Sequence, residues 1–356
     1  MRPILRPAAS ASRGSTVALS ASSSVRPLGF RIVAAKTSKN RKRTGPRKQP
    51  RRGNPQWAQA QVRHARKATA GDWIGAARLR TLPLAATPVL IGTGAAHTVD
   101  VQFHWVLALG CLLVAVFLQI GVNYANDYSD GVRGTDAVRV GPARLTASGG
   151  AKPRTVLTVA LVFFALAALV GLALVIRTQQ WWLIAVGAAA ILAAWFYTGG
   201  KRPYGYYGLG ELFVFVFFGL VATLGTTWIQ VQAAPQEAWL GAIAAGFLAC
   251  AVLVANNLRD IDQDRLAGKR TLSVLIGRRA SQWLFTAFLV LAFVIAGFIA
   301  IFYPVAWLVL LALLGAIPAM LIVWMYRQPR ELVVALAVTS FTSLAYGALL
   351  MRALFG

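Results

Sequence analysis

Acidic residues are scarce in this chain. It has 11 Asp and Glu against 36 Lys and Arg in 356 residues, a formal charge of +25 at pH 7. Cysteine is nearly absent. Cys111 and Cys250 each lie within an apolar run, which excludes a disulfide framework and any thiolate zinc spacing and leaves them as small packing side chains. The three histidines (His64, His97 and His104) are scattered, so imidazole-based metal or nucleophile chemistry is not expected. Residues 1–70 contain no acid at all. They carry 17 Lys and Arg, leaving a net +8 for residues 71–356. They also lack the apolar core of a secretory signal.

That basic segment is rich in Ser, Ala, Pro and Arg, and its low hydrophobicity and high charge predict disorder. Three readings of it stand side by side. It is a basic tail on anionic headgroups, an organelle transit peptide, or a stretch upstream of a true start near residue 70. Nothing aromatic or groove-forming supports nucleic-acid binding, so no nucleic-acid partner is expected. Residues 71–356 form the second unit of the reading, a membrane domain.

The remainder is strongly apolar. The chain is 57% hydrophobic with a mean hydropathy of +0.60, above the roughly 45–50% of soluble domains. Several runs reach the ~20 residues needed to cross a bilayer. The expected fold is all-α and polytopic, with nine transmembrane helices around a central cavity. The segments are 82–98, 104–123, 156–176, 180–197, 211–232, 238–257, 282–302, 304–325 and 332–351. The first is the weakest, with Pro83 and Pro88, and the seventh and eighth nearly abut at Pro304. Lys and Arg crowd the connections on the amino-terminal side of such a chain. Arg177 and Arg352 alone fall on the other side. That asymmetry places the amino terminus in the cytoplasm, in the plasma or inner membrane.

Six of the eleven acids fall in two clusters, each leaving an apolar run on that same side. The first is Asn123-Tyr-Ala-Asn126-Asp127-Tyr-Ser-Asp130 with Asp136. The second is Asn256-Asn257-Leu-Arg259-Asp260-Ile-Asp262-Gln-Asp264. Asp127 and Asp130 share a face if the helix continues, as do Asp260 and Asp264. Asp262 points elsewhere, either solvated or paired with Arg265. Asn123 and Asn256 each stand four residues before an Asp, which hints at an internal duplication. Carboxylates at a membrane boundary are costly and mark a site for something cationic. Two opposed acidic faces suit two Mg²⁺ ions bridging a diphosphate. Neighbouring cations, among them Arg133, Arg139, Arg144, Lys201, Arg202, Arg259, Lys269 and Arg270, suit the phosphate oxygens. Ordinary interfacial ion pairing is the competing reading of the same residues.

Asn126-Asp127-Tyr-Ser-Asp130 and Asp260-Ile-Asp-Gln-Asp264 resemble the paired aspartate motifs of the UbiA superfamily of intramembrane prenyltransferases, over roughly residues 70–356. Within it, four stretches look like the menaquinone branch, whose acceptor is 1,4-dihydroxy-2-naphthoate. They are the run from Asn123 to Asp136, Arg78-Leu-Arg80-Thr-Leu-Pro83, Gly208-Leu-Gly210-Glu211, and the run from Asn256 to Leu272. One departure is clear: the usual third acid of the first motif would stand at Gly134, and the acid is at Asp136 instead.

The resemblance implies Mg²⁺-dependent prenyl transfer from a polyprenyl diphosphate, with loss of CO₂ and diphosphate, giving demethylmenaquinol. Asp127, Asp130, Asp260 and Asp264 would hold the metal, assisted by Asn123 and Asp136. Arg144, Lys201, Arg259 and Lys269 would neutralise the leaving diphosphate, and Tyr197 and Asn257 would line the substrate site. Tyr197, Tyr204, Tyr206 and Tyr207 either wall the acceptor and shield a cation or form an interfacial aromatic belt. Glu211 and Asp136 are candidate bases, although a helix N-terminal acid would look like Glu211. Other acceptors (4-hydroxybenzoate, homogentisate, haem, a phosphoribosyl sugar) remain open. So do a cation-coupled transporter and, last, a non-catalytic lipid-binding scaffold.

Overall fold

In hydrocarbon every backbone N–H and C=O must find its partner within the segment, so long apolar runs become helices. A computed structural model shows this over residues 66–135 and 144–356. Residues 1–65, and residues 136–143 with Asp136 and Arg139, lie outside the described residues. All regular structure among the described residues is helical.

Helix α1 (Ala70–Ala76) starts with a capping box between Thr69 and Asp72. A short turn leads into α2 (Pro83–His97). Then follow α3 (Trp105–Arg133), α4 (Pro153–Thr178), α5 (Leu183–Phe196), α6 (Gly210–Val231), α7 (Gln236–Leu266), α8 (Leu272–Phe302), α9 (Pro304–Met325) and α10 (Glu331–Leu354).

Seven helices, α3, α4 and α6–α10, are long and apolar enough to cross a membrane. The stretch from α1 to Thr81 and α2, bent by 42°, makes an eighth when taken as one span. The fourth expected segment is helical too, but α5 has only 14 residues. At 1.5 Å per residue it reaches about 21 Å against a hydrocarbon core of about 30 Å. The helices carrying the acidic clusters run on past the apolar stretch, α3 to Arg133 and α7 to Leu266. Helix α8 begins earlier than its apolar run, with a break at Gly277. The junction at Pro304 holds, because Tyr303 leaves the helical region there.

Helix α7 is the axis of the packing. Its sequence alternates Ala and Gly with larger residues, and Ala244, Ala245, Leu248, Ala251, Val254, Ala255 and Leu258 are all buried. Small residues let helix backbones approach where lipid supplies no hydrophobic drive. Helices α6 and α7 approach backbone to backbone. A methyl group on Gly219 would lie 2.6 Å from the Gly246 Cα. There α6 widens to π-helical turns over Phe215–Val221, a local rearrangement frequent at functional sites. Buried polar side chains tie the layers together. Thr227 donates to the Gly92 carbonyl (2.9 Å), Gln230 to Thr93 Oγ1 (3.1 Å) and Tyr346 to the Ala292 carbonyl (2.8 Å).

The main dry core lies among α2, α7, α8, α9 and α10. A cavity of about 620 Å³ lies on the other side of α7. Helices α2 to α7 supply its walls, with Leu336 of α10 at one point, while α8 and α9 contribute no lining residue. The expected ring of nine helices around one cavity is therefore a six-helix wall backed by a packed block.

Gly219→Val should force the α6–α7 crossing apart and cost about 1–3 kcal/mol by overpacking. Thermal unfolding in detergent should show a lower Tm. Gly297→Ala, with nothing within 4 Å of the added methyl, should leave Tm unchanged.

Candidate active site

The cavity is apolar along most of its length and polar at one end. Val114, Leu118, Val186, Ile191, Phe217 and Val221 wall the deep part. At the mouth stand Asn123, Asn126, Asp130, Arg144, Tyr197, Asn256, Asn257, Asp264 and Lys269. The last turns of α3 and α7 supply most of these, because both helices continue beyond their apolar stretch.

Two glycines turn the chain at the mouth. Gly134 ends α3 in the left-handed region (φ 73), and its N–H donates to the Asp130 carbonyl. This is the position where the resemblance calls for a third acid, and a helix-ending glycine occupies it. Gly268 (φ 76) does the same after α7. The Lys269 N–H returns to the Asp264 carbonyl at 2.8 Å, and Arg270 N–H reaches the Tyr206 carbonyl at 3.0 Å.

Lys269 is the node that joins the two clusters. Its Nζ is 3.0 Å from Asp130 Oδ2 and 4.0 Å from Asp264 Oδ1, and it lies 4.7 Å from the centre of the Tyr206 ring. Tyr206 donates its hydroxyl to Asp130 Oδ1 at 2.6 Å. Burial first, and then the Asp130 carboxylate, push the Tyr206 phenol above its ordinary range, so it stays protonated and remains a donor. Arg144 Nη2 approaches Asp130 Oδ2 at 3.9 Å. Arg133 donates to the Thr198 and Gly200 carbonyls and pins the loop after α5 to the end of α3.

The four motif aspartates divide into two ranks. Asp130 and Asp264 line the cavity; Asp127 and Asp260 do not. Asp127 is 1% exposed, and its two oxygens accept the Leu145 and Thr146 N–H groups at 2.9 Å each. Asp260, also 1% exposed, takes a two-point pair from Arg259 (2.8 and 2.6 Å), and that guanidinium also holds Asn256. The structure brings Arg144, Lys269, Asn123, Tyr197 and Asn257 to the cavity, but not Arg259. Lys201 is exposed and outside it. Asp262 pairs with Arg278, not Arg265, because it faces the next helix. Of the four loop tyrosines, Tyr197, Tyr204 and Tyr206 line the cavity and Tyr207 points out.

Sequence reasoning gave Arg78 no role. It lines the cavity in a left-handed backbone conformation (φ 56) that costs a non-glycine residue about 1–3 kcal/mol. Asn123 holds the preceding peptide there, donating to the Ala77 carbonyl at 2.9 Å. The proline-ended motif at residues 78–83 was the only signal.

The donor chemistry at the mouth fits Mg²⁺. One cation, the Lys269 ammonium, already lies within ion-pair reach of a carboxylate from each cluster. Among the described residues no three or more His, Cys, Asp or Glu converge as a metal cage. Two carboxylates completed by phosphate oxygens and water are the set Mg²⁺ ordinarily takes.

An apolar cavity with a charged mouth at helix ends, among helices long and apolar enough to cross a bilayer, marks a polytopic membrane protein with a polar site at one end of its bundle. The chain belongs to the UbiA prenyltransferase family, which matches residues 85–351, and is a prenyl-transferring enzyme. It is 54% identical over 228 residues to the 1,4-dihydroxy-2-naphthoate octaprenyltransferase of Mycobacterium tuberculosis, covering 63% of this chain and 76% of that one. The enzyme of the same name from Haemophilus influenzae is 36% identical over 283 residues, covering 76% and 92%. Among solved structures, a UbiA homologue from Archaeoglobus fulgidus bound to GPP and Mg²⁺ shares the fold. Its TM-score is 0.55 at 15% identity, covering 79% of this chain and 99% of that one.

Asp127→Ala should leave the Leu145 and Thr146 amides unpaired, a loss of about 1–3 kcal/mol. Hydrogen exchange at these two amides should accelerate by roughly 10- to 100-fold. Unchanged protection would contradict the anchoring role.

Proposed function

We propose that this enzyme transfers a polyprenyl group from its diphosphate to 1,4-dihydroxy-2-naphthoate, releasing diphosphate and CO₂ and giving demethylmenaquinol. The observation that carries this is the Asp130–Lys269–Asp264 bridge set over an apolar cavity. Its donors match a diphosphate and its divalent cation, and its apolar walls match an isoprenoid tail. The acceptor rests on the printed names of relatives up to 54% identical.

The tail lies along the apolar walls, and burial of its methylenes supplies binding energy. Lys269 and Arg144 contact the diphosphate oxygens and take up charge as the allylic C–O bond breaks. Asp130 and Asp264 would hold Mg²⁺, which would supply positive charge to offset the negative charge of the departing diphosphate. Asp127 and Asp260 support them one turn earlier on each helix, through the 144–150 segment and Arg259. Tyr206 keeps Asp130 oriented. The apolar walls keep water from the allylic cation. The ring carbon bearing the carboxylate then forms the new C–C bond, and loss of CO₂ and a proton restores the aromatic ring.

The mouth faces the cytoplasm in this reading. The basic connections, from Arg133 and Arg144 through Lys201 and Arg202 to Arg278 and Arg327, lie at the same helix ends as the acids. A cation carrier would place acids at midspan on broken helices. Here they sit at the ends of α3 and α7.

Purified enzyme with Mg²⁺, a long-chain polyprenyl diphosphate and 1,4-dihydroxy-2-naphthoate should yield, by mass spectrometry, a prenylated naphthoquinol lacking the carboxylate. Diphosphate release without that product would discard the acceptor. Asp130→Asn or Asp264→Asn should lower turnover by roughly 100-fold or more, with membrane insertion intact. Chelation should abolish activity and added Mg²⁺ restore it. Near-normal turnover in either variant would contradict the paired-carboxylate site.

A further inference from the structure

Behind the mouth stands a buried carboxylate that the scheme above does not use. Glu211, in the first turn of α6, is 6% exposed. Its Oε1 accepts from Asn257 Nδ2 at 2.9 Å, and its Oε2 is fully buried with no hydrogen-bond partner. The Asn257 amide is set by that hydrogen bond with its NH₂ toward Glu211 and its oxygen away from it. Asn257 lines the cavity, whereas Glu211 does not. The amide oxygen of Asn257 is thereby left as an acceptor for whatever occupies the mouth. Tyr197 borders the same corner: a methyl group on Gly210 would lie 3.7 Å from its hydroxyl. The phosphate-facing groups Lys269 and Arg144 are donors, and an amide oxygen repels a phosphate. It suits a ligand that brings a hydroxyl.

We propose that Glu211 is a positioning residue that holds Asn257 as the hydroxyl-recognising contact for the aromatic acceptor. This rests on the prenyl-transfer reading and adds the basis of acceptor choice. An acceptor lacking the hydroxyl would leave a buried amide oxygen unpaired, which costs about tenfold in affinity.

The test is equilibrium binding to the full chain in detergent, under anaerobic conditions. The probes are 1,4-dihydroxy-2-naphthoate, 4-hydroxybenzoate and their deoxy analogues. The wild type should prefer a hydroxylated acid over its deoxy analogue by about tenfold or more. Glu211→Gln keeps an acceptor for the Asn257 amide and should retain the preference. Glu211→Leu should erase it while polyprenyl diphosphate affinity stays within about twofold. Asn257→Ala, which leaves Glu211 in place, should erase it as well. The double variant should be no worse than either single, because the two act as one unit. A preference seen for the benzoate alone would discard the naphthoate while supporting this contact. No hydroxyl preference in the wild type overturns the proposal. So does a preference retained in Glu211→Leu or in Asn257→Ala, or a Gln variant as impaired as the Leu variant.

Discussion

Everything at the mouth depends on keeping carboxylates charged at the edge of an apolar bundle. An unpaired buried charge is too costly to persist, and removing one partner of a buried pair costs about 3–5 kcal/mol. Asp130 is 3% exposed and Lys269 7%, so their pair is the fixed point around which three chain segments gather. The turn at Gly268 delivers the lysine, the loop after α5 delivers the Tyr206 hydroxyl, and the end of α3 delivers the carboxylate. The bridge also joins the two acidic clusters, because one ammonium lies within ion-pair reach of a carboxylate from each.

The same constraint separates the aspartates into ranks. In each motif the earlier acid is fully buried and paired within the protein: Asp127 with backbone amides, Asp260 with Arg259. The later acid faces the cavity. The same division occurs on α3 and on α7, although the pairing groups differ. The inner acids hold the start of the 144–150 segment and Arg259, and the outer acids line the cavity.

Much of this was legible in the sequence. Hydropathy gave the helices, because a spanning segment must satisfy its own backbone. The three- and four-residue spacings gave the shared faces, because the helices continue past the lipid. What could not be read were the contacts between distant segments. Asp127 to Leu145, Tyr206 to Asp130 and Glu211 to Asn257 join separate elements, and no local spacing encodes them. Charge alone placed Lys201 beside the phosphate, but its backbone sits on the exposed side of a loop that Arg133 fixes. The length of α5 was overestimated because Trp181, Trp182 and Tyr197 extend the apolar run beyond the helix. The cavity wall follows from α7, whose small residues draw α6 onto one flank and the α8–α10 block onto the other.

The central claim is that Asp130 and Asp264 hold one divalent cation together with the substrate diphosphate. Mn²⁺ titration followed by electron paramagnetic resonance, with and without a non-hydrolysable polyprenyl thiolodiphosphate, tests it directly. The account predicts that wild-type protein takes up Mn²⁺ tightly only when the analogue is present. It also predicts that Asp130→Asn and Asp264→Asn each lose that linkage. Equal Mn²⁺ uptake by wild type and both variants, or uptake indifferent to the analogue, would contradict it.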